Sequence, residues 1–231
     1  MLVTFNGFPK AGLGFLEALA ADNTKTFFDA NRPTYEAALL EPARAFVEEA
    51  GAALRERISP AIRAEPRISG SILRPNRDTR FGTDKTPYKT YFDVWFWEGS
   101  RPSRECPGFF FRLTPDLLTL GSGMHRFDPT TLARYRAGVA DEQIGVALEA
   151  AVRAATVGGK AELAGIGLAR VPKGFDADHP RAALLRHTGL FVFVDHRPVP
   201  AVIHTRRFTT WCVDRFARMA PVHRWLADNL F

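Results

Sequence analysis

Cysteine, lysine and long apolar runs are all scarce in this chain, and each shortage excludes a class of protein. The 231 residues include only two cysteines, too few for the disulfide framework of a small secreted domain. No charge-free stretch approaches the length of about 18 residues that a membrane-spanning helix needs. The segment from Met1 to Lys10 lacks the basic and then apolar pattern of a signal peptide. We therefore expect a soluble cytoplasmic protein without a membrane partner.

Common cofactor and catalytic motifs are also missing. The sequence contains neither the phosphate-binding loop of nucleotide-binding proteins nor a dinucleotide fingerprint, and it has no G-x-S-x-G nucleophile elbow. Its six histidines show none of the paired spacings that bind metal ions. We predict no cofactor and no metal site. In the loop that holds Asp176, Asp178 and His179, we favour Asp178 or His179 as the cap of a helix that starts at Pro180. Metal ligation and a contribution to an anion site are open alternatives for this loop.

The composition that is present is ordinary for a globular protein, apart from the choice of cation. Apolar residues make up 46% of the chain and charged residues 24%, which excludes disordered and collagen-like chains. Lysine and arginine together number 31 against 25 acidic residues, a formal net charge of +6. Only six of those 31 cations are lysine. A position that keeps lysine in such an arginine-rich chain is therefore of interest.

The order of local patterns along the chain predicts an α+β fold. Apolar residues recur at helical spacing in residues 1–65 and again after Asp128, whereas residues 66–124 are rich in aromatic and β-branched side chains. Strands are expected at Tyr91–Trp97, Phe109–Leu113, 67–74, 117–120 and 187–194. Short connections between them favour an antiparallel meander. We predict a single domain over residues 1–231, with a mainly antiparallel sheet packed against N- and C-terminal helices.

Two single residues carry further structural expectations. Pro221 lies within the apolar stripe of the closing helix, and we expect the helix to break or restart there. Cys106 stands directly before Pro107 in a connection between strands, and we expect its thiol to be exposed. Neither residue belongs to a redox or nucleophile motif.

The segment from Arg74 to Lys89 concentrates the charge of the chain, and we call it the basic loop. Its charged residues are Arg74, Arg77, Asp78, Arg80, Asp84, Lys85 and Lys89, a surplus of three positive charges. Long irregular connections inside compact domains are often functional. Guanidinium groups bind carboxylates and phosphates through paired hydrogen bonds, and lysine adds a point charge. The basic loop is therefore a candidate anion site.

Lysine usage singles out two positions within the basic loop. Two of the six lysines of the chain, Lys85 and Lys89, lie within five residues of each other. Where any cation suffices, an arginine-rich chain tends to use arginine. We interpret Lys85 and Lys89 as positions that need an ammonium group.

Four segments of the chain carry a resemblance to a known family. They are Asn6–Pro9, Asn31–Glu36, Arg77–Lys89, and Pro172–Phe175 together with Asp178–Pro180. With these segments the sequence resembles DUF2461, a family of bacterial and fungal proteins, over nearly its whole length. The resemblance implies a single domain and supplies no activity. The sequence departs from the family pattern at two places. At Leu73–Asn76 a basic-aromatic strand end is commoner in the family, and at Gly82–Thr83 a serine followed by a polar residue is commoner.

The first functional hypothesis is an enzyme acting on a phosphorylated or carboxylated small molecule. The anion would be held by Arg77, Arg80, Lys85 and Lys89, with Lys173 extending the site. Asp78 or Asp84 would serve as acid or base, and Tyr88 would donate a hydrogen bond. Neighbouring cations favour the ionised carboxylate and hence a base. Rings that could wall an apolar pocket over the sheet are those of Trp95, Trp97 and Phe110.

Two alternatives from other classes remain open. A nucleic-acid or nucleotide binding module would use the net charge of +6 and aromatic rings on a sheet beside a basic loop. Against it, the charge is scattered and no RNA-recognition, OB-fold or helix-turn-helix signature occurs. In the third hypothesis the chain is an interaction protein, and the basic loop is purely structural. The sequence does not define an oligomeric state.

Overall fold

The computed structural model describes residues 4–80 and 83–231, so that Phe81 and Gly82 of the basic loop lie outside the described residues. The helices are α1 (Lys10–Ala21), α2 (Lys25–Ala30), α3 (Arg32–Tyr35), α4 (Glu41–Arg57), α5 (Pro129–Ala140), α6 (Glu142–Thr156), α7 (Ala182–Leu185) and α8 (Phe208–Leu230). A π-helical turn, Glu36–Leu40, joins α3 to α4. Among these described residues no helix is both long and apolar enough to cross a membrane.

Six strands form one antiparallel sheet, which confirms the predicted α+β class. They are β1 (Ile62–Arg63), β2 (Phe92–Glu98), β3 (Gly108–Leu113), β4 (Leu118–Met124), β5 (Glu162–Ile166) and β6 (His187–His196). Their order in the sheet is β1-β2-β3-β4-β6-β5. A tight turn joins β3 to β4, closed by the N–H of Thr114, which donates to the carbonyl of Leu117 at 2.9 Å.

Three local expectations are wrong, each for a physical reason. No strand forms over 67–74, because the chain turns back at Ser69, whose φ is 64°, and only Ile72 bridges to β2. Helix α8 continues through Pro221, since buried residues on both sides of the proline outweigh one missing N–H group. Cys106 is buried, because Gly99 turns the chain closely over its sulfur.

The chain folds into two compact units. The first comprises Met1–Phe96, Phe110–Thr119 and Asp195–Asp214. Its core is a set of ring contacts with centroids 5.4–6.4 Å apart among Phe5, Phe8, Phe46, Phe92, Phe111 and Phe208. Because side chains alternate along a strand, Tyr91, Asp93 and Trp95 project from the opposite face of the sheet. Lys89 of the basic loop lies near the Tyr91 ring, with Nζ 6.0 Å from its centroid.

The second unit comprises Trp97–Phe109, Leu120–Val194 and Arg215–Phe231. Asp128 caps α5 by accepting from the N–H groups of Thr130 and Thr131, as its position before Pro129 predicts. Arg181 is buried, and its Nε donates to the carbonyl of Val139 in the last turn of α5 at 2.7 Å. A Cβ at Gly145 would lie 2.4 Å from that Nε, so a glycine is required there.

Candidate anion-binding site

Backbone hydrogen bonds close the basic loop at its two ends. The N–H of Arg77 donates to the carbonyl of Pro87 at 2.9 Å, and the N–H of Lys89 donates to the carbonyl of Pro75 at 2.8 Å. Asn76 and Tyr88 form an antiparallel bridge between these bonds. The loop is therefore a hairpin-like projection whose ends lie side by side.

Tyr88 anchors this projection to the helices of the first unit. The side chain of Asn23 accepts from the N–H of Tyr88 and donates to its carbonyl, both at 3.0 Å. The ring of Tyr88 is buried and stacks on Phe28, with centroids 4.2 Å apart and planes 8° apart. These contacts give Tyr88 a structural role, and its predicted catalytic role stays a prediction.

At the tip of the loop, cations and carboxylates pair with each other. Arg80 donates hydrogen bonds to Asp78 through Nε at 2.9 Å and Nη2 at 2.7 Å, although the two side chains are 74% and 42% exposed. The hydrogen bond from Arg80 holds the pKa of Asp78 far below its ordinary value. Nη1 of Arg77 lies 2.9 Å from Oδ2 of Asp84. Arg77, Asp78, Arg80 and Asp84 thus form two ion pairs within the loop itself.

Asp84 has a second partner, Thr86, whose N–H and hydroxyl both donate to its Oδ1, at 2.9 and 2.8 Å. These bonds, with the charge of Arg77, lower the pKa of Asp84. Both predicted acid-base residues are therefore ionised at neutral pH. Their roles in catalysis remain predictions.

The two lysines of the loop each donate to a backbone carbonyl. Nζ of Lys85 lies 2.7 Å from the carbonyl oxygen of Thr79, and Nζ of Lys89 lies 2.8 Å from that of Arg74. A compact ammonium with three donors suits such contacts better than a planar guanidinium. The structure therefore offers a local reason for lysine at both positions.

A second ion pair lies on the sheet beside the ends of the loop. Arg112 on β3 donates to Asp93 on β2 through Nε at 2.8 Å and Nη2 at 2.9 Å. The Asp93 side chain is only 9% exposed, whereas that of Arg112 is 43% exposed. Burial opposes the charge of Arg112, but the hydrogen bonds and charge of Asp93 outweigh it and raise its pKa. Arg112 is thus a fixed cation with one open side.

Tyr91 links this pair to the basic loop. The guanidinium carbon of Arg112 lies 4.0 Å from the centroid of the Tyr91 ring, and Nζ of Lys89 lies 6.0 Å from the same centroid. Each is within range of an attractive contact between a cation and a ring. We call Lys89, Tyr91, Asp93 and Arg112 the base cluster, because they lie where the basic loop joins the sheet. It holds two cations and one carboxylate around one ring.

Of the charged residues in the base cluster, Lys89 was predicted from the sequence, whereas Asp93 and Arg112 were missed. Both interrupt apolar strands, in the segments Phe92-Asp93-Val94 and Phe111-Arg112-Leu113. A charged residue at such a position needs a partner. That signal was available in the sequence, and one carboxylate facing one guanidinium was the simplest pairing.

The remaining residues predicted for a site belong neither to the tip of the basic loop nor to the base cluster. Lys173 is an exposed residue of the second unit. Trp95, Trp97 and Phe110 are buried, and Trp95 stacks on Phe110 with centroids 5.8 Å apart. His179 accepts through Nδ1 from the N–H of Arg181, and α7 begins just after. In residues 4–80 and 83–231, no three His, Cys, Asp or Glu side chains gather as a metal-binding group.

An open groove of about 650 Å³ lies elsewhere in the first unit. Its lining residues are Thr4, Glu48, Glu49, Ala52, Arg55, Ala64 and Pro66. Glu49 already accepts from the N–H of Phe5 at 2.7 Å and from the hydroxyl of Thr209 at 3.3 Å. None of the residues predicted for the anion site lines this groove.

The fold and the base cluster define an α+β protein with a fixed cationic group on its sheet. The chain belongs to the DUF2461 family, described as a conserved hypothetical protein, whose profile matches residues 11–225. This match confirms the resemblance to the family and includes three of its four sequence segments, since Asn6–Pro9 lies before the matched residues. No curated protein matches the sequence significantly.

Proposed function

We propose that this protein binds an anionic small molecule, bearing a phosphate or a carboxylate, at the base cluster. The observation that carries the proposal is that the guanidinium of Arg112 is held in place and still partly accessible. Two hydrogen bonds to the buried Asp93 and the ring of Tyr91 fix its guanidinium, and 43% of its side chain stays accessible. A cation that is already oriented loses little entropy when it binds an anion.

The hydrogen-bond geometry of Arg112 supports the proposal. Nε and Nη2 point at Asp93, which leaves the Nη1 donors without a partner among the described residues. Guanidinium donors match the spacing of phosphate and carboxylate oxygens. Lys89 adds a second positive charge over the same ring. An anion beside Arg112 is therefore also attracted by the charge of Lys89, and the carboxylate of Asp93 already has its partner.

The loop tip is less suited to direct binding. An anion there competes with Asp78 for Arg80 and with Asp84 for Arg77. We retain Arg77, Arg80 and Lys85 as proposed contributors to the positive potential that attracts the anion. A catalytic step at Asp78 or Asp84 gains no support, because a lowered pKa makes a carboxylate a weaker base.

The nucleic-acid alternative gains no support from the rings. Base stacking requires exposed aromatic faces, whereas Trp95, Trp97 and Phe110 are each less than one tenth exposed. For this reason we propose a small-molecule ligand.

The test is calorimetric titration of the full chain with inorganic phosphate and with citrate at low salt. Lys89→Met and Arg112→Lys are compared with Arg44→Gln, which removes a similarly exposed guanidinium from its pair with Glu41. We expect binding of at least one anion, weakened about fivefold or more by the first two changes and unaltered by the third. Circular dichroism checks that each variant is folded. Absence of binding to both anions, or equal affinity in all variants, would overturn the proposal.

A further inference from the structure

Four polar side chains of the first unit lie on four strands that are neighbours in the sheet. They are Asp93 on β2, Arg112 on β3, Thr119 on β4 and Asp195 on β6. Asp93 and Arg112 are joined by the ion pair described above. The hydroxyl of Thr119 donates to Oδ1 of Asp195 at 2.5 Å. Each half of this row is thus one hydrogen-bonded pair.

The register of the sheet brings the two halves together. The turn between β3 and β4 is closed by the bond from the N–H of Thr114 to the carbonyl of Leu117. Counting outward by two residues on each antiparallel strand places Arg112 directly opposite Thr119. Directly opposed side chains lie on the same face, with Cβ atoms about 5 Å apart. The four residues therefore form one continuous row, which we call the polar row.

Asp195 has an unused hydrogen-bonding atom at its end of the row. Its side chain is exposed, and Thr119 occupies only Oδ1. No other hydrogen bond or ion pair of the Asp195 carboxylate occurs among the described residues. Since Thr119 fixes the carboxylate, Oδ2 is available as an oriented acceptor. A carboxylate accepts from a hydroxyl or an ammonium group and repels an anion.

We infer that the ligand carries a hydrogen-bond donor, a hydroxyl or an ammonium group, at some distance from its anionic group. This inference rests on the proposed function, in which Arg112 holds the anion. Two strand spacings separate β3 from β6, roughly 9–10 Å between backbones. A short chain of carbon atoms links the two ends across Thr119. The ligand class is a small phosphate or carboxylate with a donor several atoms away, and Asp195 is the residue that selects it.

The test uses three phosphates that differ only in the donor. Propyl phosphate has none, glycerol 3-phosphate has two hydroxyls, and 3-aminopropyl phosphate has an ammonium group. In the wild-type chain we expect at least one of the two donor-bearing phosphates to bind about tenfold more tightly than propyl phosphate, as a hydrogen bond to a charged acceptor allows. Whichever of these two phosphates binds more tightly than propyl phosphate identifies the donor as a hydroxyl or an ammonium group.

Variants then assign the preference to the polar row. In Asp195→Ala we expect the preference to fall to about one, with propyl phosphate bound at least as tightly as by the wild type because a repelling charge is removed. Asp116→Ala, which breaks the nearby exposed pair with Arg197, is the matched control and should keep the preference. Thr119→Val should reduce the preference and Thr119→Ser should restore it, which marks Thr119 as a positioning residue.

The outcomes separate this inference from the proposed function. Equal wild-type affinity for all three phosphates overturns the inference and leaves the anion site standing. A preference that survives Asp195→Ala also overturns it, because the donor then binds elsewhere. If none of these phosphates binds, the inference fails, and the proposed function fails with it only if inorganic phosphate and citrate do not bind either.

Discussion

At the tip of the basic loop, Asp78 and Arg80 are two residues apart and both side chains are largely exposed. At its base, Asp93 and Arg112 come from different strands, and the carboxylate is almost completely buried. Both pairs are bidentate, with N–O distances of 2.7–2.9 Å. The two pairs therefore differ in their surroundings and hardly at all in their bond lengths.

Burial determines what each pair contributes. An exposed pair gains little, because water and salt solvate either partner when the pair opens. A buried carboxylate has no such alternative, so the loss of its partner is costly. Arg112 is therefore held in place by a buried carboxylate of the sheet, whereas Arg80 pairs with Asp78, an exposed neighbour in the loop. A fixed cation with an open side is the better anion receptor.

The largest effect on stability is expected when Arg112 is removed. We predict that Arg112→Ala lowers the free energy of unfolding by about 3 kcal/mol, because Asp93 stays buried without a partner. For a chain of this size that corresponds to a fall in Tm of about 6–12 °C. Thermal unfolding followed by circular dichroism measures it, with Arg44→Ala as the exposed control. A fall no larger than that of the control would contradict the importance given to burial.

The next largest effect on stability is expected at Asn23, which anchors the basic loop to the helices of the first unit. We predict that Asn23→Ala lowers the free energy of unfolding by about 2 kcal/mol, because the N–H and carbonyl of the buried Tyr88 lose their partner. Denaturant unfolding measures the change. Asn6→Ala removes only an exposed amide with a bond of 3.3 Å and should have no comparable effect. Equal stability of the two variants would show that stacking on Phe28 alone holds the loop.

The smallest effect on stability is expected from changes to the Asp78–Arg80 pair at the tip of the loop. The pKa of Asp78 is lowered on folding, so its pair with Arg80 stabilises the protein above a pH of about 4 and loses its effect as the pH falls through the folded-state value. Because both groups are exposed, this contribution is small, and Asp78→Asn should lower Tm at pH 7 only slightly. Arg80→Gln should return the pKa of Asp78 toward its ordinary value. NMR titration of the side-chain carboxyl carbons measures that shift, and an unaltered titration in Arg80→Gln would refute the assigned cause.

Local signals predicted the parts of the molecule that local chemistry determines. Asp128 before Pro129 predicted the start of α5, and the punctuation between Leu113 and Leu118 predicted the turn between two strands. The basic loop was recognised from its charge and its length. Each of these features depends on residues only a few positions apart.

Features that depend on long-range packing were not predictable in the same way. Arg112 meets Asp93, 19 positions earlier, only because the register of β2 and β3 aligns them. Asp195 meets Thr119 across 76 positions. Cys106 is buried by the turn at Gly99. Charged residues inside apolar strands show that partners are needed, but the sheet order decides which partners they receive.

The most direct test of the difference between base and tip is an NMR titration of the arginine Nε–H resonances with inorganic phosphate. Arg112 and Arg80 each donate through Nε to a carboxylate, so their signals can be compared within one sample. We predict that the Arg112 resonance shifts and saturates as phosphate is added, while that of Arg80 moves only with ionic strength. Saturable movement of Arg80 with a stationary Arg112 would contradict the account.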